Sequence, residues 1–282
     1  MTNAVQDKKF NIAIIGAGKV GQTFEHLFRS VGHPVSLIGR DIEESHEVIN
    51  KAKLILITSS DQSIKKVCSN ISSYLNPESV VSHCSGALSS DLLLSAKNQG
   101  CAIASSHPLN TFPNLTAALA TFSKIDHGTY LYCEGDNKAI EVLKSAFNPA
   151  GFNTIEIASN AKTAYHTACV FACNYLTVLM DISLQTAELE GIEKKQFWQA
   201  IQPLVQSTLN NISEHGTAKS LSGPIARGDT QTISTHLDLL SKSNLDISTI
   251  YLKLAEQALM LAKQQGKLST EKIDALTTLL KE

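Results

Sequence analysis

The chain has 282 residues, 43% of them apolar and 18% charged, with a formal net charge of −2. That length carries two domains with a core in each, and the composition is that of a soluble globular protein. A balance so close to neutral gives no electrostatic reason to expect nucleic acid or an anionic membrane as partner.

The N-terminal MTNAVQDKKF carries an acid at Asp7 and no apolar h-region, so residues 1–9 read as a short disordered arm and not as a secretory signal. No apolar run approaches the length a bilayer needs; KLILIT and VVSHC are strand-sized. From residue 11 to 158, apolar runs alternate with amphipathic stretches: NIAIIG, a helix to Val31, PVSLIG, KLILITSS, SVVSHCSG, CAIASSH, GTYLYCEG and FNTIEIA. β-Branched runs bounded by Gly, Pro and Ser, with helices between them, predict an α/β domain on a doubly wound parallel sheet. Ligands on such sheets bind at the carboxyl ends of the strands, so the polar residues after each strand are the candidates for function. After Ala158 no strand-like alternation returns. Helices are expected over about 160–190, 193–212, 229–241, 243–265 and 270–281, broken at Gly191, Gly216 and SGPIARGDT. The expected division is therefore a dinucleotide-binding domain over 1–158 and an all-helical domain over 159–282.

The first strand runs into G-A-G-K-V-G, with Gly16, Gly18 and Gly21 at fingerprint spacing and Lys19 and Val20 opening the helix. Strand, turn and helix in that order make the pattern specific. Gly16 permits the tight turn, Gly18 admits a pyrophosphate, Gly21 allows close helix packing, and the helix N-terminus stabilises the anion. The second strand ends in Gly39, Arg40 and Asp41. Arg40 suits a 2′-phosphate, which points to NADP, while Asp41 could be a displaced ribose-binding acid. Thr58, Ser59 and Ser60 follow the third strand, and Ser85 and Gly86 the fourth; they are expected along the nicotinamide half of the cofactor. His107, before Pro108, stands either over the cleft as a substrate contact beside Ser85 or in a turn as a structural histidine.

In AKTAYHTACVFACNY, Lys162 and His166 lie one helical turn apart on one face, with Cys169 and Cys173 on the same side. Asn174 falls about 18 Å along a straight helix from Lys162, a second contact or a structural bond. Arg227, in SGPIARGD, is either a fork for a substrate carboxylate or half of a salt bridge, with Asp229 as a cap of the following helix. The six cysteines have no C-x-x-C or zinc-ligand spacing, which fits reduced thiols in a cytoplasmic protein and gives no metal site.

SHCSGALSSDLLLSAKNQGCAIASSHPLNTF, KTAYHTACVFACNY and LSGPIARGD together resemble one family across nearly the whole chain, from about residue 10 to 280. That family joins a Rossmann-like domain to an all-helical C-terminal domain once classed as of unknown function. Some of its members are taken to act as an alternative ketopantoate reductase in pantothenate synthesis. It is similar in architecture to β-hydroxyacid dehydrogenases, 6-phosphogluconate dehydrogenase, pyrroline-5-carboxylate reductase and ketopantoate reductase. The resemblance implies an NADPH-dependent reductase of a small 2-oxo acid, ketopantoate first, with substrate held where the two domains meet. It also implies a homodimer formed through the helical domain. In β-hydroxyacid dehydrogenases the first long helix of the second domain carries a lysine that serves the substrate oxygen and, one turn on, an asparagine. Lys162 matches that lysine, and His166 stands in the asparagine's place. Either Lys162 protonates the carbonyl and His166 orients the substrate, or His166 is itself the acid. The alternatives are a cyclic-imine reductase like pyrroline-5-carboxylate reductase and a non-catalytic NADP-binding sensor.

Overall fold

Short aliphatic runs build the middle of a seven-stranded sheet in the computed structural model, which describes residues 9–122, 128–242 and 247–281. The arm expected over 1–9 lies outside them except for Lys9, as does the expected start of a helix at 243–246. Met1–Phe171 and Ala172–Glu282 form two compact units.

In the first unit, β1 (Ile12–Ile15) leads into α1 (Lys19–Ser30), β2 (Val35–Ile38), α2 (His46–Lys51), β3 (Leu54–Ile57) and α3 (Asp61–Ile71). Then come β4 (Val80–His83), α4 (Leu94–Lys97), β5 (Ala102–Pro108), α5 (Leu115–Phe122), β6 (Thr129–Gly135), α6 (Asn137–Phe147), β7 (Phe152–Glu156) and α7 (Lys162–Cys169). Every residue of β1 and β3 is buried, as strands covered by helices on both faces require. Their side chains alternate between two cores: Ile12, Ile14, Leu54 and Leu56 pack with Phe24, Phe28 and Phe147. Ala13, Ile15, Ile55 and Ile57 pack with Ile49, Ile64 and Ile71 on the other face. The strand order β2-β1-β3-β4-β5-β6-β7 reverses between β1 and β3, the switch point where such sheets bind ligands.

The sheet is not parallel throughout, as the sequence had suggested. β6 runs antiparallel to β5, pairing Ser105 with Glu134 and His107 with Tyr132, and β7 then pairs parallel with β6. The segment after β5 re-enters the sheet from the end at which β5 left it, without the crossover that a parallel neighbour needs.

The second unit is helical: α8 (Tyr175–Glu188), α9 (Lys194–His215), α10 (Thr217–Ser220), α11 (Pro224–Arg227), α12 (Thr230–Ser241), α13 (Ile247–Gln265) and α14 (Thr270–Leu279). Ile225, Ile233, Leu259, Ala262 and Leu276 form its core. Asp229 caps α12 as expected, accepting from the Thr232 backbone N–H at 3.1 Å and its hydroxyl at 2.7 Å.

Two expectations for the long helix need correction. A π-helical turn, Val170–Asn174, separates α7 from α8, so residues beyond Cys169 do not keep the phase of a regular helix, and Cys173 need not share the Lys162 face. Ser159–Glu188 is also a single 30-residue helical stretch containing an 18-residue window of mean hydropathy 1.5. By length and composition alone it is long and apolar enough to cross a membrane.

Candidate functional site

The glycine turn after β1 is shaped by close contact. Gly16 has φ +121°, and a Cβ there would stand 2.8 Å from Thr58 Oγ1. Thr58 in turn donates its hydroxyl to the Gly16 carbonyl at 2.8 Å, tying the ends of β1 and β3 together. A Cβ on Gly21 would collide with the Gly16 carbonyl oxygen, so α1 can sit against the turn only with glycine there. Above Gly18 there is open space for 4 Å, and no side chain caps the start of α1, where Lys19 and Val20 follow. Beside it, the buried Ser59 hydroxyl has no hydrogen-bond partner among the described residues. Free N–H groups, open room and a partnerless hydroxyl fit an extended anion laid over the turn. Ser60 directly precedes α3, its hydroxyl 3.0 Å from that of Ser63.

Arg40 stands exposed after β2 on a cavity of about 430 Å³ that it shares with Asp41, Glu43, Glu44, Asn70 and Tyr74. Three carboxylates therefore border the guanidinium, and Asp41 keeps its place as an alternative ribose ligand.

The loop after β4 is held from every side. His83 is buried; its Nδ1 accepts from the Ser85 backbone N–H at 3.2 Å, and its Nε2 donates to the Ser89 carbonyl at 3.0 Å. Burial, with the Lys162 charge adding to it, pushes this imidazole down to about 4. The Ser85 hydroxyl donates to Asp61 Oδ2 at 2.9 Å and accepts from the Leu88 N–H at 3.1 Å. Lys162 completes the clamp. Its side chain is 1% exposed, and Nζ donates to the Ser85 carbonyl and to Ser105 Oγ, both at 2.7 Å. Burial pulls its amine below the ordinary lysine range, opposed by Glu134 and Asp61. Glu134, also buried, accepts from the Ser90 N–H at 2.7 Å and the Ser90 hydroxyl at 2.9 Å, fixing the far end of the same loop.

Gly86, next in the chain, lies between two imidazoles. A Cβ there would come 2.5 Å from His166 Cδ2 and 3.0 Å from His107 Nε2. The two rings are 6.1 Å apart, nearly perpendicular. His107 Nδ1 is 2.9 Å from the Tyr165 hydroxyl, and Tyr165 stacks on Tyr132 at 4.4 Å. Burial first, then the charges of Lys162 and His166, push His107 down to about 4, with Asp61 opposing.

The first unit thus brings Gly16, Thr58, Ser59, Ser85, Gly86, His107, Lys162 and His166 to the carboxyl ends of β1, β3, β4 and β5. Lys162 and His166 divide: the first is buried beneath the loop, the second half-buried against Gly86. Asn174 and Arg227 belong to the second unit. Asn174 is exposed at the end of the π turn. The Arg227 side chain is 64% exposed and pairs with Asp229 at 3.8 Å. Sequence reasoning passed over Asp61, Ser105, Glu134 and Tyr165. Only Asp61, directly after TSS at a strand end, carried a local signal.

A second cavity, of about 390 Å³, lies within the helical unit between Leu179, Ile182, Leu239, Ile250 and Leu254. Its polar lining includes the pair His236 and Tyr251, 2.9 Å apart, and it has no glycine turn or buried cation.

Residues 129–258 match the family described as a domain of unknown function, DUF2520. No curated protein matches the chain. Among solved structures, a candidate NADP oxidoreductase, BF3122 of Bacteroides fragilis, aligns at 18% identity and TM-score 0.69, covering 90% of this chain and all of that one. Protein TM1727 of Thermotoga maritima aligns at 23% identity and TM-score 0.66 over 91% of this chain and 100% of its own. An imine reductase of Myxococcus stipitatus, solved with NADP+, aligns at 15% identity and TM-score 0.60 over 96% and 99% of the two chains. At these identities the likeness establishes the fold: a Rossmann-like, mostly parallel sheet followed by a helical region.

Proposed function

We propose that the protein is an NADPH-dependent reductase of a small 2-oxo acid, with ketopantoate, reduced to pantoate in pantothenate synthesis, as its leading substrate. The observation that carries this reading is Gly86, set between His107 and His166 over a buried Lys162. Gly16, Gly18, Lys19, Val20 and Gly21 would hold the pyrophosphate and Arg40 the 2′-phosphate. Thr58, Ser59, Ser60, Ser85 and Gly86 would line the nicotinamide half. NADPH, when bound, supplies the hydride for the carbonyl carbon.

The chain's part is to place the substrate and deliver a proton to its oxygen. His166 takes that role: its ring is half-buried against Gly86, and imidazole suits proton transfer. Lys162 has almost no accessible surface and spends two ammonium hydrogens on Ser85 and Ser105, so it acts as an anchor and a fixed positive charge. Arg227 and Asn174, both exposed on the second unit, stay candidate substrate contacts on the sequence reading, Arg227 as a fork for a carboxylate. On this reading the dinucleotide-binding domain is 1–158 and the helical domain 159–282. The exposed Phe171, Val178 and Leu204, at 66%, 49% and 61%, fit a homodimer through the helical domain. Six free thiols fit a reducing, cytoplasmic setting.

The test is turnover of ketopantoate, followed by NADPH absorbance with NADH in parallel. We expect NADPH-preferring turnover, and a loss on the order of 10²–10⁴ in kcat for His166→Ala with NADPH affinity retained. The fold shared with an imine reductase over 96% of the chain favours a cyclic imine as second substrate class. Turnover of the imine alone would install that reading. Tight NADPH binding with neither reaction would leave a dinucleotide sensor.

A further inference from the structure

We infer that Tyr165 is a positioning residue which holds His107 in one neutral tautomer, so that its Nε2–H points over Gly86 as a hydrogen-bond donor to the substrate oxygen.

The geometry is that of a two-link relay. Tyr165 Oη lies 2.9 Å from His107 Nδ1, and the phenol ring is fixed by its stack on Tyr132 and by α7, which carries it. On the other side of the imidazole, Nε2 faces the position that a Gly86 Cβ would occupy, 3.0 Å away, and bonds to no described residue. His107 is thus tied at one nitrogen and open at the other.

Which way the tie runs follows from donor and acceptor strengths. A neutral imidazole has one N–H and one bare nitrogen. A phenol O–H is far more acidic than an imidazole N–H, and a bare imidazole nitrogen accepts better than a phenol oxygen. The favoured arrangement therefore has Tyr165 donating to Nδ1, which leaves the proton on Nε2. Cys169 also hydrogen-bonds the phenol, but a thiol sulfur is a much weaker acceptor than a bare imidazole nitrogen. Burial pushes the phenol above its ordinary range, so Tyr165 keeps its proton at all working pH.

The ring must also be neutral for this to hold. Besides the phenols of Tyr165 and Tyr132, the groups whose charge acts on His107 are Lys162, His166 and Asp61; the first two oppose a second proton, Asp61 favours one, and burial decides for the neutral form. A neutral histidine whose N–H aims at developing negative charge stabilises the transition state without giving up its proton. His166 is then free to be the group that does.

This assignment rests on the reductase reading for its catalytic consequence but not for the tautomer. Long-range ¹H–¹⁵N spectra of the histidine rings, recorded on cofactor-free protein near pH 7.5 (a working value well above His107's own range), report the tautomer directly. His107→Gln assigns the signal. We expect an Nε2–H ring in the native protein and a mixture of tautomers in Tyr165→Phe, which keeps the stack on Tyr132. An Nδ1–H ring in the native protein, or an unchanged ring in Tyr165→Phe, overturns the proposal whether or not any substrate is turned over. On the substrate that the enzyme reduces, Tyr165→Phe should lower kcat about tenfold to a hundredfold with KM and NADPH affinity little changed, somewhat less than removal of a whole oxyanion donor. The loss should vanish when His107 is already Gln, since Tyr165 acts through it. Equal losses in both backgrounds would make Tyr165 structural and overturn the role.

Discussion

Gly86→Ala tests the site with a single methyl group. Gly86 does not use a left-handed backbone, so alanine brings no φ strain; the methyl group itself is the perturbation. Ordinary carbon–carbon contacts lie at about 3.5–4.0 Å. The added Cβ would sit 2.5 Å from His166 Cδ2, about 1 Å too close, with His107 Nε2 at 3.0 Å closing off the other side. The loop has little room to retreat, since Ser85 is held by Lys162, Asp61 and His83. The His166 ring, half-buried on the helix, must yield by about the missing ångström. A misplacement of about 1 Å costs on the order of 10²-fold in rate, or about 2.7 kcal/mol in the barrier. The expected outcome is a hundredfold fall in kcat at saturating NADPH, on that same estimate, with dinucleotide affinity from fluorescence titration and the thermal midpoint little changed. Native kcat would refute the placement of His166 at the reacting centre. An equal loss of NADPH affinity would move Gly86 from the substrate side to the cofactor.

Arg40→Ala should weaken NADPH by about tenfold to a hundredfold, the value of a charge-assisted bond, and leave NADH nearly unaffected. Equal weakening of both, in parallel titrations, would mean that the guanidinium does not read the 2′-phosphate and would bring Asp41 forward. Acid should loosen the fold through His83 and His107. Both are held at about 4 in the folded chain against about 6.5 when unfolded. A depressed folded value gives stability that is full above about 6.5 and is lost as pH falls toward 4, by at most about 1.4 kcal/mol per pH unit for each ring. Urea unfolding across that range should show the loss, and His83→Asn should flatten it by roughly one ring's share. An unchanged slope in that variant would refute the account of His83.

The glycine turn was legible because each glycine there answers a demand that recurs wherever a strand, a turn and a helix follow in order. Gly16 takes a positive φ, and Gly21 leaves the room that the Gly16 carbonyl needs. The buried strands were legible for a similar reason: four consecutive aliphatic residues have no amphipathic reading. What stayed hidden depends on pairs far apart in the chain. Lys162 meets Ser85 across 77 residues, and His107 meets Tyr165 across 58. No spacing rule relates such positions before β4, β5 and α7 are placed together. The π turn and the reversal at β6 were hidden too, because both keep the local pattern of their element and change only its phase or direction.

The exchange of asparagine for His166 shows how the two kinds of information combine. From sequence it was a departure from the β-hydroxyacid dehydrogenase pattern, with the acid left open between Lys162 and His166. Burial separates them physically. An ammonium with two short bonds and 1% exposure would have to break both bonds and open a loop before it could reach a substrate. An imidazole against a glycine needs no such movement. If the lysine of the pattern is spent on holding the loop, the proton must come from the next residue on the same face, and a side chain that carries no labile proton there would leave the site without a donor. His166→Asn is therefore the sharpest exchange to make. It installs the asparagine of the β-hydroxyacid dehydrogenase pattern, and on this account it should cost as much turnover as His166→Ala, while rescue of activity by asparagine would return the acid to Lys162.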